Sequence, residues 1–256
     1  MPDAAPASDR FVEVRGLTMA YGRFVVQRDL AFAIRRGGIF VVMGDSGSGK
    51  STLMRHMIGL DRPAGGDVHY DGQAYWGAAA DVRERLRGRF GVLFQGSGLL
   101  SSMSLSDNIA LPLTEHVGVA PGLAREVAAA KLALVGLSGF DDHYPAEVSG
   151  GMRNRAGLAR ALALDPEIVF LDEPSAGLDP LSARRLDDLL LELRDSLGTT
   201  FVVVTHELPS IFAIADDSIF LDGERHSMAA RGPPKELLLT CPDPKVQAFL
   251  KRGRYP

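Results

Sequence analysis

The chain has 256 residues and a net charge of −4, with 28 Lys and Arg against 32 Asp and Glu. That balance excludes a general nucleic-acid binder, and 46% hydrophobic residues, many in Val- and Ile-rich runs, exclude a disordered chain. A single cysteine, Cys241, leaves no internal disulfide, and the opening MPDAAPASDR is acidic and Pro/Ala-rich rather than a secretory leader, so a reducing, cytoplasmic compartment is expected.

The first ten residues read as untethered. Phe11 to Leu17 and Asp29 to Ile34 then place apolar residues at every second position (Val12, Val14; Leu30, Phe32, Ile34), as half-buried antiparallel strands do. Val68 to Tyr70 extends that set. IFVVM at 39 is instead a continuous apolar run, the pattern of a strand buried on both faces.

Directly after it stands GDSGSGKST, formed by Gly44, Asp45, Ser46, Gly47, Ser48, Gly49, Lys50, Ser51 and Thr52. It fits G-x-x-x-x-G-K-[ST], in which glycines let backbone N–H groups turn inward around an anion that the next helix N-terminus also attracts. Lys50 is expected at the β and γ phosphates, and the Ser51 hydroxyl in the shell of Mg²⁺. The helix after the loop should span Ser51 to Ile58 and close at Gly59.

RERLRGR at 83 reads as a solvated basic helix face, and FGVLF at 90 as a further buried strand. Phe90 to Ser106 is free of Asp, Glu, Lys and Arg, but Gly, Gln and five serines break it, so it falls short of a membrane span. From Gly96 to Leu164 a Gly/Ser/Pro-rich loop gives way to helical patterns such as Leu123 to Val135, with no convincing strand. In VSGGMRNRAGLARALALDPE, Ser149, Gly150 and Gly151 make a second anion-binding helix start. One nucleotide does not need two such sites in one chain, which points to a homodimer whose sandwiched ATP touches one site from each subunit.

IVFLDEP sets Asp172 and Glu173 at the C-terminal end of a buried strand, where ligands collect in open α/β sheets. Asp172 is expected to hold Mg²⁺ through water, and Glu173 to polarise the water that attacks the γ phosphate. Leu181 to Ser196 carries one apolar helix face, TFVVVT at 200 and SIFL at 218 are buried strands, and from Arg225 a polar tail holds two short helices near Glu236 and Val246.

The order of phosphate loop, Gln95, SGGM at 149, LDEP at 171, SAGLD at 175 and THE at 205 resembles the ATPase subunits of ABC transporters over nearly the whole chain. The resemblance implies one ABC ATPase domain over 1–256, an α/β fold with a P-loop NTPase (RecA-like) core, an antiparallel β subdomain and a helical subdomain. Core and β subdomain take residues 11–95 and 160–225, the helical subdomain 96–159 and a C-terminal extension 226–256. It also implies roles: Tyr21 stacks on adenine, Gln95 contacts Mg²⁺ or water and senses the transporter, His206 contacts the γ phosphate, and Asp179 bridges to the other subunit's phosphate loop. Ser149, Gly150 and Gly151 would meet the γ phosphate across a head-to-tail dimer.

Met152 replaces the glutamine that many members carry after SGG, a substitution familiar in the MlaF/Mkl group. VTHELPSIFAIAD, GVLFQGSGLLSSMSLSDNIALPL and the terminal DPKVQAFLKRG are also similar to that branch, which powers phospholipid transport with a MlaE-like permease, an MCE-domain lipid-binding protein and a small STAS-domain subunit. An importer of small solutes, or a division- or lipoprotein-type ABC subunit that signals mechanically, shares every ATP motif.

Overall fold

The computed structural model describes residues 10–252; the opening stretch expected to be untethered lies outside them, except for Arg10, which belongs to the first strand. Strands β1 (Arg10–Tyr21) and β2 (Phe24–Arg35) form a long hairpin. β3 (Ile39–Gly44) runs through the phosphate loop into α1 (Lys50–Met57). β4 (Gly65–Tyr70) and β5 (Gln73–Ala74) complete an antiparallel sheet in the order β2-β1-β4-β5. After α2 (Ala80–Arg87) and β6 (Phe90–Leu93) come α3 (Leu105–Val117), α4 (Pro121–Leu134), a 3-10 turn at Pro145–Glu147 and α5 (Gly150–Ala161), with no strand between them. β7 (Ile168–Asp172), α6 (Pro180–Leu197), β8 (Thr200–Val204), α7 (Leu208–Ile214) and β9 (Asp217–Asp222) follow. The described chain ends with β10 (Ser227–Arg231), α8 (Pro234–Thr240) and α9 (Pro244–Lys251).

The second sheet has six strands in the order β10-β9-β3-β8-β7-β6, with every pairing parallel except β10 on β9. Every residue of β3, β7 and β8 is buried, because both faces of this sheet are covered. Successive side chains go to opposite sides. Ile39, Val41, Val169, Leu171 and Phe201 join a core with helices α3 to α7. Phe40, Val42, Phe170, Val202 and Val204 join a second core with the antiparallel sheet and with Leu53, Met54 and Met57 of α1. Burying a side chain the size of Phe170 or Phe201 contributes roughly 2 to 3 kcal/mol. The sheet therefore fixes β3 and β7 side by side with β8, and with them the two segments that carry the candidate chemistry.

Some elements differ from the sequence expectation. β10 precedes the two helices of the tail, and its residues are all half-buried, so no alternation marks it. α3 follows the Gly/Ser-rich stretch and starts within the region expected to be mostly helical, although no helical pattern stands out there in sequence. Ser104 caps it, accepting from the Asp107 N–H at 3.1 Å, and the buried Asn108 side chain accepts from Leu100 N–H at 2.7 Å and donates to the Ser104 carbonyl at 2.9 Å. In the basic run, Arg85 pairs with Asp81 and Arg87 with Glu84 on the exposed face of α2. Arg89 departs from that reading: with Arg36 it grips Asp71 and Glu167, tying the β4–β5 turn to the start of β7.

α6 and α7 are joined by one buried bond, from the Ser210 hydroxyl to Asp187 Oδ2 at 2.9 Å. Asp187 is 4% exposed, and burial pushes its carboxyl up to about 6 against the opposing Ser210 bond. The folded protein thus holds this proton at pH values where the unfolded chain, with a carboxyl near 3.8, has released it. Its contribution is present below about pH 4 and is lost as pH rises through about 6. In urea titrations the stability of Asp187→Asn relative to the parent should therefore rise by about 1 kcal/mol between pH 5 and pH 7. A relative stability independent of pH would show that Asp187 ionises normally.

Candidate active site

Apolar β3 ends at Gly44, and the chain turns at once. Gly44 has φ +148°, and a Cβ on it would lie 2.4 Å from the Leu221 carbonyl oxygen, so the loop is pressed against the end of β9. Gly47 and Gly49 take φ of +78° and +92°, left-handed values that let a chain wrap around an anion. Gly49 caps α1 without any side-chain bond, which leaves the first N–H groups of the helix for a ligand. Beneath the loop the fully buried Gln27 donates from Nε2 to the Ser48 carbonyl at 2.8 Å and to the Asp222 carbonyl at 3.0 Å.

Lys50 is curled over its own loop, with Nζ donating to the Gly44 and Asp45 carbonyls at 3.0 Å each. Burial lowers its pKa, and the nearby Glu173, Asp172 and Asp45 oppose that shift. Ser51 Oγ donates to Asp172 Oδ1 at 2.9 Å. Asp172 is buried at the end of β7, and that burial raises its pKa, partly offset by the Ser51 bond. A hydroxyl and a carboxylate held this close offer oxygen donors suited to a hard cation such as Mg²⁺. No group of three or more His, Cys, Asp or Glu among the described residues gathers to hold a metal alone. The rest of a Mg²⁺ shell would come from phosphates, water and Gln95.

Glu173 is the first residue past β7. Its N–H still bonds the Val204 carbonyl at 2.8 Å, yet its φ is +48°, a left-handed value that costs a non-glycine residue about 1 to 2 kcal/mol. The turn aims its carboxylate at the loop after β8, where Oε1 lies 2.8 Å from His206 Nδ1. Oε2 is buried with no hydrogen-bond partner. An unpaired buried carboxylate oxygen costs stability.

A cavity of about 1040 Å³ joins these parts, lined among others by Tyr21, Lys50, Ser51, Gln95, Glu173 and His206. Tyr21, at the end of β1, is 53% exposed and donates its hydroxyl to Asp61 at 3.0 Å, which fixes the ring at the cavity edge. Asp172 lies just behind Ser51. Ser149, Gly150, Gly151 and Asp179 do not line this cavity. They form a second surface, where Ser149 caps α5 by accepting from Met152 N–H at 3.3 Å and Asp179 caps α6 by accepting from Ser182 N–H at 3.0 Å. A Cβ on Gly151 would stand 3.3 Å from Ser182 Cβ, so the two helix starts touch. Asn154, in the first turns of α5, donates to the Pro174 carbonyl at 2.7 Å and ties this surface to the residue after Glu173.

Sequence reasoning missed Gln27, Phe24, Phe249 and Arg252, the last three of which also line the cavity. Gln27 and Asp222 stand 195 residues apart, and no local pattern announces such a contact. Phe24 is 63% exposed in β2 beside Tyr21, but in sequence it falls between the two expected strands, where no pattern singles it out.

An anion seat, a pair of oxygen donors and an unpaired carboxylate thus line up at the C-terminal ends of β3 and β7, an arrangement suited to hydrolysing a phosphoanhydride. Residues 27–176 match the family described as ABC transporter. The "probable ribonucleotide transport ATP-binding protein mkl" of Mycobacterium tuberculosis (strain H37Rv) is 40% identical over 243 residues, 95% of this chain and 67% of that protein. The "intermembrane phospholipid transport system ATP-binding protein MlaF" of Haemophilus influenzae is 36% identical over 256 residues, 97% of this chain and 96% of that one. Among solved structures, the ATP-binding cassette MJ0796 in a dimeric post-hydrolysis state with ADP and Pi is 28% identical at a TM-score of 0.77, covering 87% of this chain and 98% of that chain. A family match over more than half of the chain, with relatives alike over nearly all of it, makes this protein a member of the ABC transporter family and one of its ATPases.

Proposed function

We propose that the chain works as a homodimer that hydrolyses ATP to ADP and phosphate and so drives phospholipid transport through a separate membrane permease. The observation that carries the lipid reading is the likeness to the H. influenzae protein named for intermembrane phospholipid transport, which extends over nearly the whole of both chains. The branch-like segments around Gln95, Met152 and His206 support it.

In this reading Tyr21 stacks on adenine. Lys50 exchanges the Gly44 and Asp45 carbonyls for the β and γ phosphates, and the backbone of residues 44 to 52 cradles the rest. Ser51, Asp172 and Gln95 would hold Mg²⁺, which when bound would supply positive charge against the phosphates. Glu173 takes a proton from the attacking water while His206 fixes the Glu173 carboxylate and reaches the γ phosphate. Ser149, Gly150, Gly151 and Asp179 lie outside their own subunit's cavity and serve the nucleotide of the partner. Binding closes the dimer, hydrolysis reopens it, and the surface near Gln95 passes the motion to the permease. The permease would be MlaE-like and accompanied by an MCE-domain protein and a small STAS-domain subunit. The chain would then sit at the cytoplasmic face of the inner membrane. No helix among the described residues is long and apolar enough to cross a membrane, so attachment through the permease supplies that location.

A second reading, ribonucleotide transport, follows from the name of the mycobacterial relative at 40% identity. Affinity purification of tagged Glu173→Gln protein from detergent-solubilised membranes with ATP and Mg²⁺, followed by mass spectrometry, separates the two. Copurified permease, MCE-domain protein and phospholipid are expected. A permease that carries ribonucleotides and no lipid would overturn the lipid reading and leave the ATPase chemistry in place.

A further inference from the structure

The phosphate loop carries a negative charge of its own, Asp45, immediately after Gly44. In a loop that must collect a triphosphate, an uncompensated carboxylate repels the ligand. Its compensation comes from the other end of the chain. Lys245 Nζ in α9 lies 3.9 Å from Asp45 Oδ2, and Arg252 Nη1, just past the same helix, lies 3.7 Å from Asp45 Oδ1.

Neither cation arrives by chance. α9 is anchored by the buried Val246, Phe249 and Leu250, and Phe249 meets Phe220 edge-on at 5.2 Å. Lys245 is fixed by the buried Asp222 at 2.7 Å and also reaches Glu224 at 3.4 Å, so it shares its charge among three carboxylates, and the carbonyl of that same Asp222 is held by Gln27, whose amide also holds Ser48 in the phosphate loop. Helix and loop therefore share one rigid support. Arg252 and Phe249 line the cavity that Lys50 and Tyr21 line.

We propose that α9 is an electrostatic part of the nucleotide site, in which Lys245 and Arg252 offset the charge of Asp45 so that the phosphate loop repels ATP less. Both are positioning residues, because they act through Asp45 and touch no reacting atom. The inference rests on the placement of the phosphates at residues 44 to 52.

The test is the affinity of the full chain for a fluorescent ATP analogue with Mg²⁺ at low salt. Replacing both cations, Lys245→Met with Arg252→Gln, should weaken binding about fivefold, and about 0.5 M salt should cut the loss to under about twofold. In an Asp45→Asn background the same two substitutions should change affinity by less than about twofold, because the charge they answer is gone. Lys245→Arg with Arg252→Lys, which keeps both charges, should bind like the parent. Parental affinity in the charge-removing variant, or an equal loss with Asp45→Asn, overturns the proposal. Lys50→Ala guards the premise: if it binds the analogue as the parent does, the phosphate placement fails instead.

Discussion

Glu173→Gln should lower steady-state ATP turnover about 100- to 1,000-fold while leaving nucleotide affinity within about twofold. The substitution keeps the volume and the bond from Oε1 to His206, and removes the basicity at one position only. The backbone holding the side chain is unaltered, since the bond from its N–H to Val204 does not involve the side chain. A second consequence concerns stability. Oε2 of Glu173 is buried without a partner, and a neutral amide is cheaper to bury than a carboxylate, so the variant should be more stable without nucleotide by about 1 kcal/mol. Slow hydrolysis and a raised melting temperature together identify a residue whose position is costly to the fold and useful to the reaction. Turnover within threefold of the parent would remove Glu173 from the role of base.

Gly44→Ala should abolish measurable ATP binding and destabilise the protein by about 3 kcal/mol or more. Two effects add here. At φ +148° a side chain is strained whatever the space, and the new Cβ would stand 2.4 Å from Leu221 O and 2.8 Å from Ser48 Oγ. One of those neighbours is main chain in a buried strand, so relief requires moving β3 from β9 or lifting the loop. Gly47→Ala is the matched control. Its φ of +78° is also strained, but nothing lies within 4 Å of the added carbon, so about 1 kcal/mol is expected. Denaturant titrations of the two variants read the difference directly. Equal losses would mean that the close approach to β9 does not constrain the loop.

The parts of this protein that were legible in sequence are those whose cause is local. β3, β7 and β8 announced themselves as continuous apolar runs because both of their faces are buried, and the phosphate loop because its glycines serve backbone angles set within a few residues. The hairpin of β1 and β2 was half visible: Val12, Val14, Phe32 and Ile34 alternate, whereas in Phe24 to Gln27 the cavity-facing Phe24 and Val26 are as apolar as Val25 between them, and the period is lost. Contacts made across the chain left no trace. Gln27 reads as one polar residue in a strand until the fold brings Ser48 and Asp222 to its amide. Arg252 reads as one of several basic residues near the terminus until α9 lays it beside Asp45. α7 is only seven residues long, too short for its apolar face to repeat, and β10 lacks a buried face altogether.

The strand order has a consequence for how the protein is made. β3 is synthesised early, but its two neighbours, β8 and β9, lie more than 150 residues downstream, as Ile39 pairs with Phe201 and Gly44 with Leu221. On the ribosome the phosphate loop therefore emerges long before the surface that shapes it. Until residue 222 is free, Gly44 has no carbonyl to press against and Gln27 has only one of its two acceptors. The first half of the chain therefore leaves the tunnel with its central strand unpaired, the kind of exposed apolar edge that is prone to aggregate until its partners arrive.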